Sequence, residues 1–154
     1  MSEKQPYLSV VIPVYNEAES ISKLHREVIT LCREEGYNYE IIIVDDGSSD
    51  ETGQVVKELS PVIYIRLRRN FGQTSAMDCG IKQARGELIV TMDGDGQNDP
   101  ADIPKMIKYL QERDLDVFSD WRRDRKDSFM KKLFSGLANY MRGIIIKDGL
   151  NECC

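Results

Sequence analysis

The sequence predicts an α/β fold with a mostly parallel sheet that carries helices on both faces. Short apolar runs rich in β-branched residues recur along the chain, helical patterns fill the intervals between them, and each run is continuous. Continuous apolar strands are typical of parallel sheets buried on both faces. Alternation of strands and helices favours right-handed crossovers between parallel neighbours.

Five runs are candidate strands. They are, in order, residues 8–12, 41–44, 62–65 and 88–92, and a shorter run at 116–118. Ligands of open parallel sheets bind outside the carboxyl ends of the strands. We therefore look for a functional site in the residues that directly follow each run.

Helical spacing after the first run comes from four apolar residues, Ile21, Leu24, Val28 and Leu31. Asn16 with Glu19, and Ser48 with Glu51, have the spacing of a capping box and predict the starts of the first two helices. The Asp-Pro step at 99–100 predicts another helix start, with proline in its first turn.

Composition excludes several classes of protein. A chain of 154 residues suits one domain, and its net charge of −5 argues against nucleic-acid binding. No apolar run approaches the roughly 20 residues that span a bilayer, and the polar first residues predict no signal peptide. The four cysteines include no C-x-x-C pair, which indicates reduced thiols in a cytoplasmic protein.

Familiar catalytic motifs are missing from the sequence. It has no Walker A loop, no G-x-G-x-x-G fingerprint and no G-x-S-x-G elbow, which argues against P-loop phosphoryl transfer, hydride transfer and serine hydrolysis. The single histidine, His25, lies within a predicted helix and has no catalytic partner nearby, so we interpret it as structural.

Asp93, Asp95 and Gln97 follow the fourth run and are the sharpest feature of the sequence. Two carboxylates and an amide oxygen at this spacing are suitable ligands for Mg²⁺ or Mn²⁺. The alternative on spacing alone is an Asp/Gly-rich turn that only solvates a loop. An EF-hand is excluded because the loop lacks a glutamate at its twelfth position.

Asp45 and Asp46 follow the second run, where a carboxylate can bind the ribose or base of a nucleotide. The alternative is a loop built around helix capping by Ser48 and Asp50. Tyr15, after the first run, could stack on a base or pack within its loop. The sequence alone leaves both questions open.

Four ordered segments together resemble family-2 glycosyltransferases. They are residues 10–17 (VVIPVYNE), 44–50 (VDDGSSD), 68–74 (RRNFGQT) and 93–100 (DGDGQNDP), with a weaker match at 121–127 (WRRDRKD). Within that family, Gln97 and the tryptophan-arginine segment resemble the branch of dolichyl-phosphate mannose synthase and bacterial undecaprenyl-phosphate sugar transferases.

The resemblance implies a GT-A fold, a UDP- or GDP-linked sugar donor and inverting, metal-assisted transfer to a polyprenyl phosphate. The nucleotide-sugar contacts would be Pro13, Tyr15, Glu17, Asp45, Asp46, Asp93, Asp95 and Arg122. The Mg²⁺ or Mn²⁺ ligands would be Asp93, Asp95 and Gln97, and Asp95 and Arg122 would be the catalytic residues. Lys131 and Ser135 would contact the acceptor phosphate.

The resemblance extends to about Asp148, and relatives continue further. We therefore expect residues 1–154 to be one catalytic domain without its acceptor-side part, so that the fold is incomplete after about 148. Ser119 and Asp120 stand where relatives usually have glycine. Two alternatives stay open: transfer to a saccharide hydroxyl, and a nucleotide-sugar-binding module without turnover.

The segment 121–132 is basic, with six Lys or Arg residues and two Asp residues, a local charge of +4. Apolar residues at helical spacing follow it. This pattern indicates either an interfacial helix on an anionic membrane or a last helix that packs on the sheet. The first interpretation predicts a cytoplasmic protein in peripheral contact with the membrane.

Overall fold

The computed structural model describes residues 5–117, which belong to the compact unit Met1–Phe118. They form a four-stranded parallel sheet in the order β3-β2-β1-β4. Its strands are β1 (Leu8–Val14), β2 (Tyr39–Asp45), β3 (Ile63–Arg66) and β4 (Leu88–Thr91). The α/β class and the four main strand predictions are confirmed.

Four α-helices connect or follow the strands. They are α1 (Ile21–Glu34), α2 (Thr52–Lys57), α3 (Gln73–Gln83) and α4 (Ile103–Glu112), and a 3₁₀ turn at Pro100–Asp102 leads into α4. Residues of α1, α2 and α4 share one core cluster, whereas α3 contributes to a second cluster with β1 and β2. Helices therefore cover both faces of the sheet, as predicted. Among residues 5–117, no helix combines the length and apolar character needed to cross a membrane.

The central strands explain why the apolar runs are continuous. Val10 and Ile12 of β1 face the larger cluster, while Val11 faces α3, and all three side chains are fully buried. The edge strand β4 differs, because Ile89 is 43% exposed. Within residues 5–117, burial on both faces thus holds for β1 and β2 but not for β4.

The strand predicted at 116–118 is not found among the described residues, whereas the helix start predicted at 99–100 is. Asp116 and Val117 belong to no strand, and the third residue of that run lies outside the described residues. The 99–100 step is confirmed, since the Asp99 carboxylate accepts a 2.9 Å hydrogen bond from the N–H of Ala101 at the start of the 3₁₀ turn.

The two capping boxes are wrong. The helix α1 begins after Ser20 and α2 after Glu51, and neither residue makes a side-chain cap bond. The Asn16 side chain instead accepts a 2.9 Å bond from the N–H of Ser49, and the hydroxyl of Ser48 accepts a 3.0 Å bond from the N–H of Asn16. These side chains join two loops because the carboxyl ends of β1 and β2 are adjacent.

The helix α3 buries little side-chain surface, which is why no apolar spacing predicts it. Its buried residues are Ala76 and Gly80. A Cβ atom on Gly80 would lie 2.4 Å from Cγ1 of Val11 and 3.1 Å from Cγ2 of Val44. The glycine therefore lets the helix backbone approach the sheet closely.

Candidate functional site

The loops that follow β1, β2 and β4 are joined at the carboxyl edge of the sheet. The N–H of Glu17 donates a 2.8 Å hydrogen bond to the hydroxyl of Thr52, which connects the first loop to the start of α2 at the end of the second loop. The hydroxyl oxygen of Ser20 lies 2.8 Å from the carbonyl oxygen of Gly94, which connects the first loop to the third. Hydrogen bonds thus connect the three segments that contain the predicted site residues.

Asp45 supports the loop after β2. Its side chain is fully buried, and its Oδ1 accepts a 2.7 Å bond from the N–H of Ser48. Its Oδ2 accepts a 2.8 Å bond from the Tyr64 hydroxyl and lies 3.5 Å from Nε of Arg66. Burial, with the bond to Asp45, raises the pKa of Tyr64 to about 12. Both carboxylate oxygens of Asp45 are therefore engaged within the protein.

Asp46 holds the turn that follows β3. Its two carboxylate oxygens accept 2.8 Å bonds from the N–H groups of Phe71 and Gly72. The adjacent Gly47 has a φ of +73°, and a Cβ atom there would lie 2.5 Å from the carbonyl carbon of Arg69. Only glycine permits both this backbone conformation and this close approach. The segments 44–50 and 68–74 thus pack against each other.

The residues after β1 differ in accessibility. Pro13 is buried within the strand, whereas Tyr15 is 45% exposed beyond it. Glu17 is partly buried, and its Oε2 lies 2.7 Å from the hydroxyl oxygen of Ser20. Tyr15 therefore presents an exposed aromatic ring at this edge, whereas Pro13 is buried.

The segment 93–97 forms a turn directly beyond β4. Oδ1 of Asp93 accepts a 2.6 Å bond from the side-chain amide of Gln73, and Oδ1 of Asp95 accepts a 2.9 Å bond from the N–H of Gln97. The Asp95 and Gln97 side chains are exposed. The sequence-predicted cation ligands therefore lie on one turn at the predicted edge.

The donor chemistry of this turn fits a hard divalent cation. Between residues 5 and 117 there is no group of three or more His, Cys, Asp or Glu side chains that could enclose a metal ion. Mg²⁺ is commonly held by one or two carboxylates and completes its shell with phosphate oxygens and water. Asp93 and Asp95 match that arrangement, which needs no third acidic ligand from the protein.

Basic and aromatic side chains follow β3 at the same edge. The guanidinium carbon of Arg69 lies 4.9 Å from the ring centroid of Phe71, and the ring is 50% exposed. Neither residue was singled out as a site residue from sequence. Their position follows from the bonds between Asp46 and the turn, and sequence spacing does not reveal those bonds.

Three predicted residues, Arg122, Lys131 and Ser135, lie outside the described residues. Sequence reasoning also missed Ser20 and Gln73 as supports of the site. Gln73 lies in the segment 68–74 that resembles the family. Its sequence therefore indicates that this segment belongs to the site, but not that Gln73 bonds to Asp93. Ser20 carried no comparable signal.

Curated relatives align with most of this chain. It is 46% identical over 151 residues to dodecaprenyl-phosphate galacturonate synthase of Rhizobium johnstonii, covering 94% of this chain and 45% of that protein. It is 41% identical over 138 residues to undecaprenyl-phosphate 4-deoxy-4-formamido-L-arabinose transferase of Edwardsiella ictaluri, covering 86% of this chain and 42% of that protein. The chain thus spans less than half the length of these relatives.

Solved structures share the fold. A mannosyltransferase from Pyrobaculum calidifontis in complex with GDP-Man and Mn²⁺ aligns with a TM-score of 0.58 and 26% identity, covering 70% of this chain and 33% of that one. The S. aureus TarS fragment 1-349 in complex with UDP-GlcNAc aligns with a TM-score of 0.58 and 20% identity, covering 78% of this chain and 38% of that one. The second likeness concerns the fold alone.

The architecture is that of the GT-A fold, as the sequence resemblance implied. A family model described as glycosyl transferase family 2 matches residues 9–147. That range contains the four motif segments and every sequence-predicted site residue. The chain belongs to glycosyl transferase family 2.

Proposed function

We propose that this chain binds a UDP- or GDP-linked sugar with Mg²⁺ or Mn²⁺ and serves its inverting transfer to a polyprenyl phosphate. The observation that carries the proposal is the turn with Asp93 and Asp95, joined by hydrogen bonds to the loop after β1 and to the first residue of α3. The names of the curated relatives support a polyprenyl-phosphate acceptor. The GDP-Man and Mn²⁺ of the mannosyltransferase complex support the donor and the cation.

Asp93, Asp95 and Gln97 are the residues that would hold the cation. A divalent ion held by these residues would supply positive charge that stabilises the leaving diphosphate when the sugar–phosphate bond breaks. The exposure of Asp95 and Gln97 leaves room for a phosphate and for water at the turn.

The nucleoside would lie against the loops after β1 and β2. Tyr15 would stack on the base, with Glu17 and Pro13 forming the adjoining wall. Asp46 would contact the base or ribose, since each carboxylate oxygen has a second lone pair beyond the one used by the turn. Asp45, whose oxygens bond to Tyr64 and to the loop, would act by holding Asp46 in place.

Arg122 would add positive charge at the diphosphate, and Lys131 with Ser135 would contact the acceptor phosphate. A phosphate acceptor is anionic at neutral pH, so it needs no strong general base. An acceptor hydroxyl would need one, and Asp95 is the candidate to orient it. In this proposal, residues 1–154 supply the donor-binding part of one catalytic domain.

Isothermal calorimetry of the 154-residue chain with UDP- and GDP-linked sugars tests donor binding. We expect measurable affinity with Mn²⁺ and its loss in EDTA. Asp95→Ala should lose most of the dependence on metal, because one of two charged ligands is gone. Asp116→Ala, which removes an exposed aspartate outside the turn, is the matched control. Equal affinity with and without EDTA would refute the cation assignment.

Acceptor assays then separate the remaining alternatives. Incubation with donor, Mn²⁺ and undecaprenyl phosphate should yield a lipid-linked sugar if this chain completes the transfer. A saccharide product with no lipid product would favour the hydroxyl-acceptor alternative. Tight donor binding with neither product would identify a nucleotide-sugar-binding module.

We also propose peripheral contact of the basic segment 121–132 with anionic lipid. Its charge of +4 supports this, since each Lys or Arg near an anionic surface contributes about 1 kcal/mol. Co-sedimentation with vesicles that contain phosphatidylglycerol should fall as salt rises. It should also fall when Arg123, Arg125 and Lys126 are changed to Glu. Absence of sedimentation at low salt would remove this part of the proposal and leave the donor site standing.

A further inference from the structure

Gln73 bridges two parts of the candidate site that are far apart in sequence. It is the first residue of α3 and follows Gly72, whose N–H is held by Asp46 at 2.8 Å. Its side-chain Nε2 donates a 2.6 Å bond to Oδ1 of Asp93. One end of the bridge is therefore fixed by a buried carboxylate, and the other end fixes a carboxylate of the 93–97 turn.

We infer that Gln73 is a positioning residue that sets the orientation in which Asp93 meets a divalent cation. The inference rests on the proposed function, because it assumes that this turn binds a cation. A donor on Oδ1 restrains rotation about the carboxylate and so limits the directions in which its oxygens can point. Carboxylates that bind metals are usually held by such bonds, and their loss typically weakens metal affinity by about 10-fold to 100-fold.

If Gln73 had a merely structural role, changing its side chain would lower the free energy of unfolding. The Gln73 side chain is exposed, and the N-cap position of α3 is occupied by the residue before it, Gly72, which has no side chain. The side chain therefore adds little to the core or to the helix start. Removing its amide should change cation binding while the free energy of unfolding stays nearly constant.

The test uses Mn²⁺ alone and the whole 154-residue chain, with free Mn²⁺ followed by electron paramagnetic resonance. Gln73→Met keeps the length of the side chain and removes its N–H donors. Gln83→Met makes the same change at the exposed last residue of α3 and is the matched control. We expect Gln73→Met to raise the Kd for Mn²⁺ by about 10-fold and Gln83→Met to leave it unchanged.

Selectivity gives a second readout that does not depend on enzyme activity. Ca²⁺ accepts bidentate carboxylates and flexible geometry, whereas smaller ions need stricter placement. A released Asp93 should therefore lose Mn²⁺ affinity more than Ca²⁺ affinity, and the Mn²⁺/Ca²⁺ preference should fall in Gln73→Met. Thermal unfolding of each variant checks that the fold is retained.

The outcomes separate this inference from the proposed function. If Asp93→Ala weakens Mn²⁺ binding but Gln73→Met matches the wild type in affinity and selectivity, the inference is overturned and the cation site stands. If the wild type binds Mn²⁺ no better than Asp93→Ala, the cation site is overturned, and the inference with it.

Discussion

The Tyr64 hydroxyl donates a 2.8 Å hydrogen bond to the fully buried carboxylate of Asp45. A Cβ atom on Gly53 would lie 2.9 Å from that hydroxyl oxygen, so α2 packs directly on the pair. The same carboxylate accepts a bond from the N–H of Ser48. This pair therefore connects β3, the end of β2 and the loop that carries Asp46.

Replacing Tyr64 by Phe should destabilise the protein by about 1–3 kcal/mol at neutral pH, because a buried carboxylate oxygen loses its donor. The difference should shrink in alkali. Burial and the bond to Asp45 raise the pKa of Tyr64 from 10.0 to about 12 in the folded protein. The stability gained from neutral Tyr64 is thus complete below pH 10 and is lost as pH rises toward 12.

Urea unfolding at a series of pH values from 8 to 12 measures this effect. Tyr39→Phe is the control, because within residues 5–117 the Tyr39 hydroxyl has no hydrogen-bond partner. A difference between wild type and Tyr64→Phe that stays constant across this range would contradict the linkage.

Gly80→Ala should destabilise the protein, although alanine favours an open helix position by about 1 kcal/mol over glycine. The added Cβ would lie 2.4 Å from Cγ1 of Val11, and overpacking of this kind costs about 1–3 kcal/mol. Val11→Ala makes room for it, so the double variant should lose less stability than the two single changes together. A coupling energy near zero in this double-mutant cycle would contradict the close packing of α3.

Glu40 anchors the amino-terminal edge of the sheet. Its Oε1 accepts 2.6 Å bonds from the Ser9 hydroxyl and the N–H of Arg85, and its Oε2 lies 3.1 Å from a guanidinium nitrogen of Arg85. Burial raises the pKa of Glu40, but the bonds from Ser9 and Arg85 and the charge of Arg85 outweigh it. The pKa of Glu40 therefore lies below its ordinary value of 4.5.

Glu40→Gln should cost about 1–3 kcal/mol at pH 7, because the amide nitrogen cannot accept these bonds. The lowered pKa of Glu40 gives stability above pH 4.5 that is lost as pH falls through the folded value, and the variant should lack that part of acid unfolding. Unfolding free energies between pH 3 and 7 measure this, with Glu87→Gln as the exposed control. Parallel curves of unfolding free energy against pH for wild type and Glu40→Gln would show that Glu40 does not contribute to the pH dependence of stability.

The strands and the edge that carries the site could be predicted from sequence because they depend on local patterns. The run at 41–44 is apolar and β-branched, and the polar residues that follow it must lie at the carboxyl edge of a parallel sheet. The position of Asp93 and Asp95 at this edge, directly after β4, could be predicted in the same way. The helix α3 could not, because it packs through Gly80 and so shows no apolar stripe.

The supporting contacts could not be predicted, because they join segments that are distant in sequence. Ser48 and Asn16 match capping patterns in the local sequence. In the fold their loops are adjacent, and their side chains form hydrogen bonds between the two loops instead of capping helices. Asp46 looks like a ligand-binding carboxylate, and sequence alone gives no sign of its bonds to residues 71 and 72. Side-chain partners of this kind follow from the packed fold and not from spacing.

The last prediction concerns Ser20, whose hydroxyl contacts the 93–97 turn. Its hydroxyl oxygen lies 2.8 Å from the carbonyl oxygen of Gly94 and 2.7 Å from Oε2 of Glu17. A Cβ atom on Gly94 would lie 2.6 Å from Cγ1 of Val14, so the turn already packs against the end of β1. The one proton of the hydroxyl is shared between these two acceptors, so Ser20 links Glu17 to the peptide between the two acidic residues of the turn.

Ser20→Ala should weaken Mn²⁺-dependent binding of the donor by about twofold to tenfold, since one hydrogen bond is worth about 0.5–1.5 kcal/mol and 1.4 kcal/mol is tenfold in affinity. Calorimetry with Mn²⁺ measures the change, and Ser22→Ala, two residues further along in α1, is the control. The unfolding free energy should change little, because Ser20 is only partly buried. Unchanged donor affinity in Ser20→Ala would mean that Val14 packing alone fixes the turn, whereas equal losses in both variants would indicate a general effect on α1.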